Sequence, residues 1–126
     1  MCIRDRDKTK QFGFKAVFPS GKVLACLGDE PFNEKCRNFV QNCDYLMCEA
    51  FCLYSQKDIF KPYEKFHSTA LDAGKLAESL FAKNLILYHA EDETLQTRKR
   101  TYTSEARTVF NGNIFVPDDF EVIDLK

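Results

Sequence analysis

Three short apolar runs each end on an ionisable residue, and this repeated pattern constrains the fold more than any other feature. The runs are residues 27–29, 47–49 and 87–89, which end on Asp29, Glu49 and His89. Strand-like runs that alternate with helical segments are typical of α/β proteins. Because the carboxyl ends of parallel strands meet at one edge of a sheet, we expect these side chains to gather there.

A fourth ionisable residue precedes a well-marked helix. His67 lies just before Thr69, and the spacing of Thr69 and Asp72 predicts an N-cap and a capping box. His67 and His89 are the 2 histidines of the chain. With Asp29 and Glu49 they supply imidazole and carboxylate groups, which suit a zinc or manganese site or an acid/base site. The structural alternative is that these residues serve turns and caps.

The remaining elements complete an α/β pattern with an antiparallel hairpin at each end. The expected hairpins pair residues 12–18 with 23–27 and residues 114–116 with 120–125. Two further helices are expected at residues 33–41 and 104–110, the second capped by Thr103. We expect one domain at residues 12–126, preceded by a leader at 1–11 that does not belong to the fold.

Composition excludes several classes of protein. The formal net charge of -1 gives the whole chain no electrostatic footprint for nucleic acid. No apolar run is long enough to cross a bilayer, and the chain begins without a signal-peptide core. The 6 cysteines are compatible with disulfides, but without a secretory signal we expect reduced thiols and a cytoplasmic location.

The order of four short motifs resembles a known family. Gly28-Asp29, Glu49-Ala50, His67-Ser68-Thr69 and the apolar run into His89 follow one another as in the metallo-β-lactamase-fold hydrolases, and most closely as in the ribonuclease Z branch. The resemblance covers residues 12–125. It implies an α/β fold that forms the C-terminal half of an αββα sandwich, with a mixed sheet and helices on one face.

The resemblance also implies a role for each site residue. Asp29 resembles the carboxylate that bridges two metal ions, and His89 resembles the last metal-binding histidine. His67 resembles the histidine that protonates the leaving oxygen, and Glu49 resembles the acid that holds this histidine. The implied cofactor is Zn²⁺, two ions per intact subunit, with Mn²⁺ as the alternative metal.

The chain lacks the family's main metal motif, His-any-His-any-Asp-His, which normally lies upstream. We therefore interpret the chain as a C-terminal half, and we expect the isolated 126 residues to bind metal poorly and to be inactive. The intact protein is expected to be a metal-dependent hydrolase, and members of this branch are often homodimers.

The leading function is a phosphodiesterase or endoribonuclease of the ribonuclease Z type, which processes the 3′ end of tRNA. The alternatives are a hydrolase of the same fold that acts on a small ester, thioester or cyclic phosphodiester, and a non-catalytic α/β module. Phe51 stands where the family usually has Thr. The acidic segment 90–93 after His89 disfavours a phosphate backbone beside the site.

Overall fold

A mixed five-stranded sheet forms the centre of the protein. The computed structural model describes residues 3–6, 9–27, 32, 34–65, 67–91 and 93–125. The strands are β1 Ile3–Arg6, β2 Thr9–Phe12, β3 Phe14–Val17, β4 Val23–Cys26, β5 Tyr45–Glu49, β6 Asn84–Tyr88 and β7 Asn113–Phe115. The helices are α1 Arg37–Val40, α2 Lys57–Phe60, α3 Ala70–Ser79 and α4 Arg98–Arg107.

The strand directions confirm the predicted fold class. β3 pairs with β4 in antiparallel fashion, whereas β4, β5, β6 and β7 run parallel to their neighbours. The carboxyl ends of β4, β5 and β6 therefore lie at one edge of the sheet. β1 and β2 pair with each other in a separate two-stranded sheet. The boundary between leader and domain at residue 11 stays a prediction.

The N-terminal hairpin forms where the turn residues predicted it. Gly21 has φ 90°, which an L side chain adopts only with strain, and the Phe18 N–H donates to Lys22 O over 2.9 Å. Gly13 separates β2 from β3 because the chain passes close to β4 at this point. A Cβ at Gly13 would lie 2.7 Å from the carbonyl oxygen of Cys26, so this position requires glycine.

Helices α3 and α4 cover the sheet and pack against each other. Ala73 and Ala77 of α3 and Tyr102 and Ala106 of α4 are buried with the inward side chains of the strands. At Gly74 an added Cβ would lie 2.9 Å from the carbonyl oxygen of Ala106, so glycine permits the close approach of the two helices.

The predicted C-terminal hairpin is wrong. β7 pairs with β6 in parallel, and residues 120–125 form no strand. The reason is a local turn after Pro117. The Glu121 N–H donates to Asp118 O over 3.0 Å, and the Asp118 N–H donates to Glu121 Oε1 over 3.1 Å. These bonds satisfy the backbone locally and turn the chain away from the sheet edge.

The helix predictions at 33–41 and 104–110 are inaccurate. The first is a 3₁₀ turn, Glu34–Cys36, followed by the single turn of α1. The second, α4, begins at Arg98, so Thr103 is not its cap. Tyr102 and Ala106 lie four residues apart and are both buried, and their burial extends the helix toward the N-terminus.

Cys36 is disulfide-bonded, so the prediction of reduced thiols is wrong for this residue. Cysteine spacing in the sequence does not reveal which thiols the fold brings within bonding distance, and that distance decides whether a bond can form. In the part of the chain that the structure describes, no helix has the length and apolar character needed to cross a membrane.

Candidate active site

A buried carboxylate joins both histidines of the chain. Glu49 is 1 % exposed and is the last residue of β5. Its Oε2 lies 2.8 Å from Nδ1 of His67 and 3.4 Å from Nδ1 of His89. Its Oε1 accepts the backbone N–H of Ser68 over 2.6 Å. Because an ionised carboxylate can only accept, both imidazoles carry their proton on Nδ1 when they are neutral.

His67 reaches Glu49 because the segment before α3 runs beside the extension of β5. The Phe51 N–H donates to Ser68 O over 2.9 Å, and the Ala70 N–H donates to Cys52 O over 3.0 Å. Cys52 and Thr69 form a parallel bridge. These bonds continue the sheet beyond β5 and hold residues 67–69 at its carboxyl edge.

Thr69 then starts α3 with the predicted capping box. Its side chain accepts the Asp72 N–H, and the carboxylate of Asp72 accepts the Thr69 N–H over 3.0 Å. The reciprocal bonds fix where the helix begins. They therefore also fix the position of His67, two residues earlier, relative to α3. Only 13 % of the His67 side chain is exposed, which leaves the ring few alternative positions.

His89 follows β6 and carries backbone strain. β5 and β6 pair in parallel with Glu49 opposite Tyr88, so the next residue along the chain turns over the sheet edge beside Glu49. His89 has φ 59°, in the left-handed region, which costs a non-glycine residue about 1–2 kcal/mol. Four other described residues that are not glycine also have a positive φ, so this strain does not by itself mark a functional site. The side chain of His89 is 44 % exposed.

Aromatic contacts complete the cluster. The ring of Phe51 stacks on His67 with centroids 4.7 Å apart and an angle of 16° between the planes. The rings of His67 and His89 lie 5.2 Å apart and are tilted by 49°. The stacking fixes the plane of the His67 imidazole, while its Nδ1 is fixed by Glu49.

The backbone of Phe51 is held by Glu91 and Tyr102. The Glu91 N–H donates to Phe51 O over 2.7 Å, and Tyr102 O–H donates to the same oxygen over 3.2 Å. Burial raises the pKa of Tyr102, so its phenol keeps the proton that it donates. Helix α4 therefore holds the backbone of the residue that stacks on His67.

The acidic segment after His89 is less open than the sequence suggested. Glu91 is 7 % exposed, and its carboxylate accepts from the backbone N–H groups of Glu93 and Thr94 and from the Thr94 hydroxyl. The Glu91 carboxylate therefore closes a local turn. The expectation of an acidic patch formed by residues 90–93 is wrong for Glu91, and Asp92 lies outside the described residues.

Glu49, His67 and His89 each offer a ligand atom, and these atoms lie within 4.8 Å of one another. Imidazole nitrogen and carboxylate oxygen are donors that suit zinc. A histidine that binds metal through Nε2 usually donates its Nδ1–H to a carboxylate, which is the arrangement of His89 and Glu49. The described donors therefore fit a divalent metal. Asp29, the other predicted ligand, lies outside the described residues.

Phe51 and Ser68 contribute to the site although the sequence does not predict it. Alternation along an extended segment places the side chain of Phe51 on the same side as that of Glu49, which is the signal that could identify Phe51. Ser68 contributes its backbone N–H to the carboxylate, and a backbone donor leaves no signal in the residue type.

Comparisons with known proteins show which proteins the chain resembles. Ribonuclease Z of Bacillus cereus (strain AH187) is 32% identical over 98 residues, which are 78% of this chain and 31% of that protein. The chain therefore spans about a third of the length of the curated relatives that it matches. No protein-family model matches the chain.

Solved structures show the same fold. The short form of human tRNase Z has a TM-score of 0.69 and 24% identity, covering 94% of this chain and 40% of that chain. The metallo-β-lactamase-fold protein YhfI of Bacillus subtilis has a TM-score of 0.66 and 21% identity, covering 83% of this chain and 45% of that chain. The chain therefore has the metallo-β-lactamase fold and is similar to ribonuclease Z over part of that protein's length.

Proposed function

We propose that the protein that carries this chain is a metal-dependent phosphodiesterase, most similar in function to ribonuclease Z, which cleaves RNA at the 3′ end of tRNA precursors. The observation that carries the proposal is the buried carboxylate of Glu49 between two imidazoles at the carboxyl edge of the sheet. The similarity to ribonuclease Z over 98 residues supports the substrate class.

His67 is the proposed general acid. Its Nδ1–H is held by Glu49 over 2.8 Å, so Nε2 is the ring nitrogen that exchanges a proton with the substrate. Glu49 fixes this tautomer and stabilises the positive charge of the imidazolium. Phe51 and the short segment before α3 hold the ring in place while the proton moves to the leaving oxygen.

His89 and Asp29 are the proposed metal ligands. His89 would bind through Nε2 while its Nδ1–H faces Glu49. When bound, Zn²⁺ or Mn²⁺ supplies a water of lowered pKa and positive charge that neutralises the phosphate. Two zinc ions per intact subunit are the proposed complement. We also propose a cytoplasmic location and a homodimer, in keeping with the resemblance to the ribonuclease branch.

The test compares two histidine variants of the protein that carries this chain. His67→Gln should lower kcat on a 3′-extended tRNA by about 10²–10⁴-fold and leave bound zinc unchanged, because it removes only proton transfer. His89→Gln should lower both kcat and zinc content. Zinc is measured by mass spectrometry, and bis(p-nitrophenyl) phosphate serves as the small phosphodiester.

Each outcome distinguishes one alternative. Unchanged turnover in His67→Gln would remove His67 from the mechanism. Zinc loss in His67→Gln would make this residue a metal ligand. Efficient turnover of the small phosphodiester without cleavage of tRNA would favour the small-substrate hydrolase, and no turnover of either substrate by the zinc-loaded protein would favour a non-catalytic module.

A further inference from the structure

Glu105 of α4 accepts hydrogen bonds from two segments that lie far from it in sequence. Its Oε1 accepts the Tyr54 N–H over 2.6 Å and the Leu71 N–H over 3.1 Å. Its Oε2 accepts the Ser55 N–H over 3.3 Å. All three donors are backbone groups, and they lie 34 to 51 residues before Glu105. One side chain therefore joins α4 to two segments that only the fold brings together.

The first segment is the start of α3. Leu71 lies in the first turn of this helix, where the backbone N–H groups have no acceptor within the helix. The N–H groups on either side of Leu71 donate to Cys52 O and to the hydroxyl oxygen of Thr69. Glu105 accepts the N–H between them, and the helix dipole also favours a carboxylate at this end. The start of α3 therefore depends on α4 as well as on its own capping box.

The second segment is the 3₁₀ turn Tyr54–Gln56. Its N-cap residue, Leu53, has no side-chain acceptor, so the turn has no cap of its own. Glu105 accepts the first two N–H groups of the turn instead. Phe51, whose ring stacks on His67, lies three residues before the turn. Glu105 therefore holds the segment that carries the stacking partner of His67.

The two segments meet at the His67 ring. His67 belongs to the segment that leads into α3, and Phe51 belongs to the segment that leads into the 3₁₀ turn. Tyr102, one turn before Glu105 on α4, donates to Phe51 O over 3.2 Å. Helix α4 thus holds both segments, and Glu105 is bonded to each of them.

Glu105 lies outside the region where a substrate would react. In the described part of the chain it lines neither the cavity that contains His67 nor the cavity that contains His89. It lies with Ser55 and Ser104 on a separate groove between α4 and the 3₁₀ turn. An effect of Glu105 on turnover must therefore pass through the two segments that it holds.

We propose that Glu105 is a positioning residue for His67. It fixes the start of α3 and the segment after Phe51 relative to α4, and so holds the imidazole in the orientation that proton transfer requires. A displacement of about 1 Å at a reacting group can lower the rate by about 10²-fold. The role rests on the proposed function, in which His67 protonates the leaving oxygen.

The first test observes the His67 ring and needs no turnover. The 126-residue chain is labelled with ¹⁵N-histidine, and the signal of the Nδ1–H that His67 donates to Glu49 is recorded by NMR. Glu105→Ala should shift or remove this signal, because the segments on both sides of the ring lose an anchor. Glu78→Ala, an exposed acid on α3, is the matched control and should leave the signal unchanged. Because the signal arises from folded molecules, a loss of stability alone does not shift it.

The second test measures turnover by the zinc-loaded protein that carries this chain. Glu105→Ala should lower kcat on a 3′-extended tRNA about tenfold and leave KM within about twofold of wild type, since the acid is misplaced but the substrate contacts remain. Glu105→Gln keeps one oxygen that can accept the Tyr54 and Leu71 N–H groups, so it should restore most of kcat and of the His67 signal.

A second pair of variants leaves Glu105 in place and serves if Glu105→Ala does not fold. Tyr54→Pro lacks the backbone N–H, and proline is tolerated at the first position of a helical turn. Leu53, with φ -72° and ψ 144°, already has the extended conformation that a residue before proline adopts. Tyr54→Ala also lacks the ring but keeps the N–H, so it is the matched control. The His67 signal should shift in Tyr54→Pro and not in Tyr54→Ala.

Several results would overturn the positioning role. These are an unchanged His67 signal in folded Glu105→Ala, equal effects of Glu105→Ala and Glu78→Ala, a change in KM alone, or no rescue by Glu105→Gln. The outcome is separable from that of the proposed function. Turnover that requires His67 but not Glu105 refutes only the positioning role, whereas a His67 signal that depends on Glu105 in a protein without turnover refutes only the hydrolase.

Discussion

At the scale of single residues, the site depends on one buried charge. Glu49 is nearly inaccessible to solvent, yet its two oxygens accept from the Ser68 backbone and from both histidines. A buried carboxylate is tolerated only when donors replace the water that it has lost. The arrangement therefore ties the stability of the sheet edge to the groups proposed for catalysis.

Glu49→Gln should lower the free energy of unfolding by about 2 kcal/mol, the usual range for hydrogen bonds to a charged group. Glutamine offers one acceptor oxygen, so its NH₂ group must face either the Ser68 N–H or the Nδ1–H of His67. Urea unfolding followed by circular dichroism measures the change. Glu78→Gln, an exposed acid on α3, is the matched control and should change stability by less than about 0.5 kcal/mol. Equal stability of the two variants would contradict this role.

At the scale of elements, the start of α3 sets the position of His67. The capping box of Thr69 and Asp72 is local, but Thr69 also bridges to Cys52 beyond β5. One residue thus begins the helix and joins the preceding segment to the sheet. Helix α4 begins differently, because Thr97 makes no side-chain cap bond there.

The two threonines give a matched pair of variants. Thr69→Ala should cost about 1 kcal/mol of stability, because it removes the side-chain acceptor for the Asp72 N–H. Thr97→Ala should cost only a few tenths of a kcal/mol, since no cap bond is lost. Thermal and urea unfolding of both variants measure the difference. A loss at Thr97 as large as that at Thr69 would show that the capping bond is not the cause.

At the scale of the whole molecule, one edge of the sheet carries the candidate site and the opposite edge carries bonds that stabilise the sheet. The carboxyl edge carries the candidate site, and Asp44 joins the strands at the other edge. Its Oδ2 accepts the Val23 N–H over 2.8 Å at the start of β4, and its Oδ1 lies 3.1 Å from Nζ of Lys83 just before β6. The Asn84 N–H donates to Asp44 O over 3.0 Å. Asp44 therefore holds the register of three parallel strands.

Asp44 should make the free energy of unfolding depend on pH in the acid range. The Val23 N–H, followed by Lys83, lowers the pKa of its carboxyl group below the usual value. A folded pKa below the unfolded value of about 3.9 means that the stabilisation is complete above that pH. It is lost as pH falls further through the folded pKa.

Wild type and Asp44→Asn should differ in the free energy of unfolding by an amount that depends on pH. The wild type should be more stable by about 1.5–3 kcal/mol at neutral pH, and the difference should narrow below about pH 4 as Asp44 is protonated. Urea unfolding at several pH values measures it. Asp58→Asn, an exposed acid on α2, should give a small difference at every pH. If the difference in the free energy of unfolding between wild type and Asp44→Asn stayed constant into the acid range, the ionised carboxylate of Asp44 would not be the cause of the stabilisation.

The sequence by itself determined the features that depend on neighbours along the chain. The turn at Gly21 needs a positive φ, the capping box joins residues three apart, and β5 and β6 end at the change from apolar to ionisable residues. These interactions form within one or two turns of backbone, so residue type and spacing specify them. The mixed α/β class follows from the same local pattern.

Only the tertiary structure decided the choices between distant partners. Nothing in residues 113–115 specifies pairing with β6 over a local hairpin, and α4 begins at Arg98 because Tyr102 and Ala106 become buried against the rest of the core. The stacking of Phe51 on His67 and the disulfide of Cys36 likewise depend on which segments meet. The physical reason is that these contacts join segments that are distant in sequence, so their burial, hydrogen bonds and bonding distances exist only once the chain has folded.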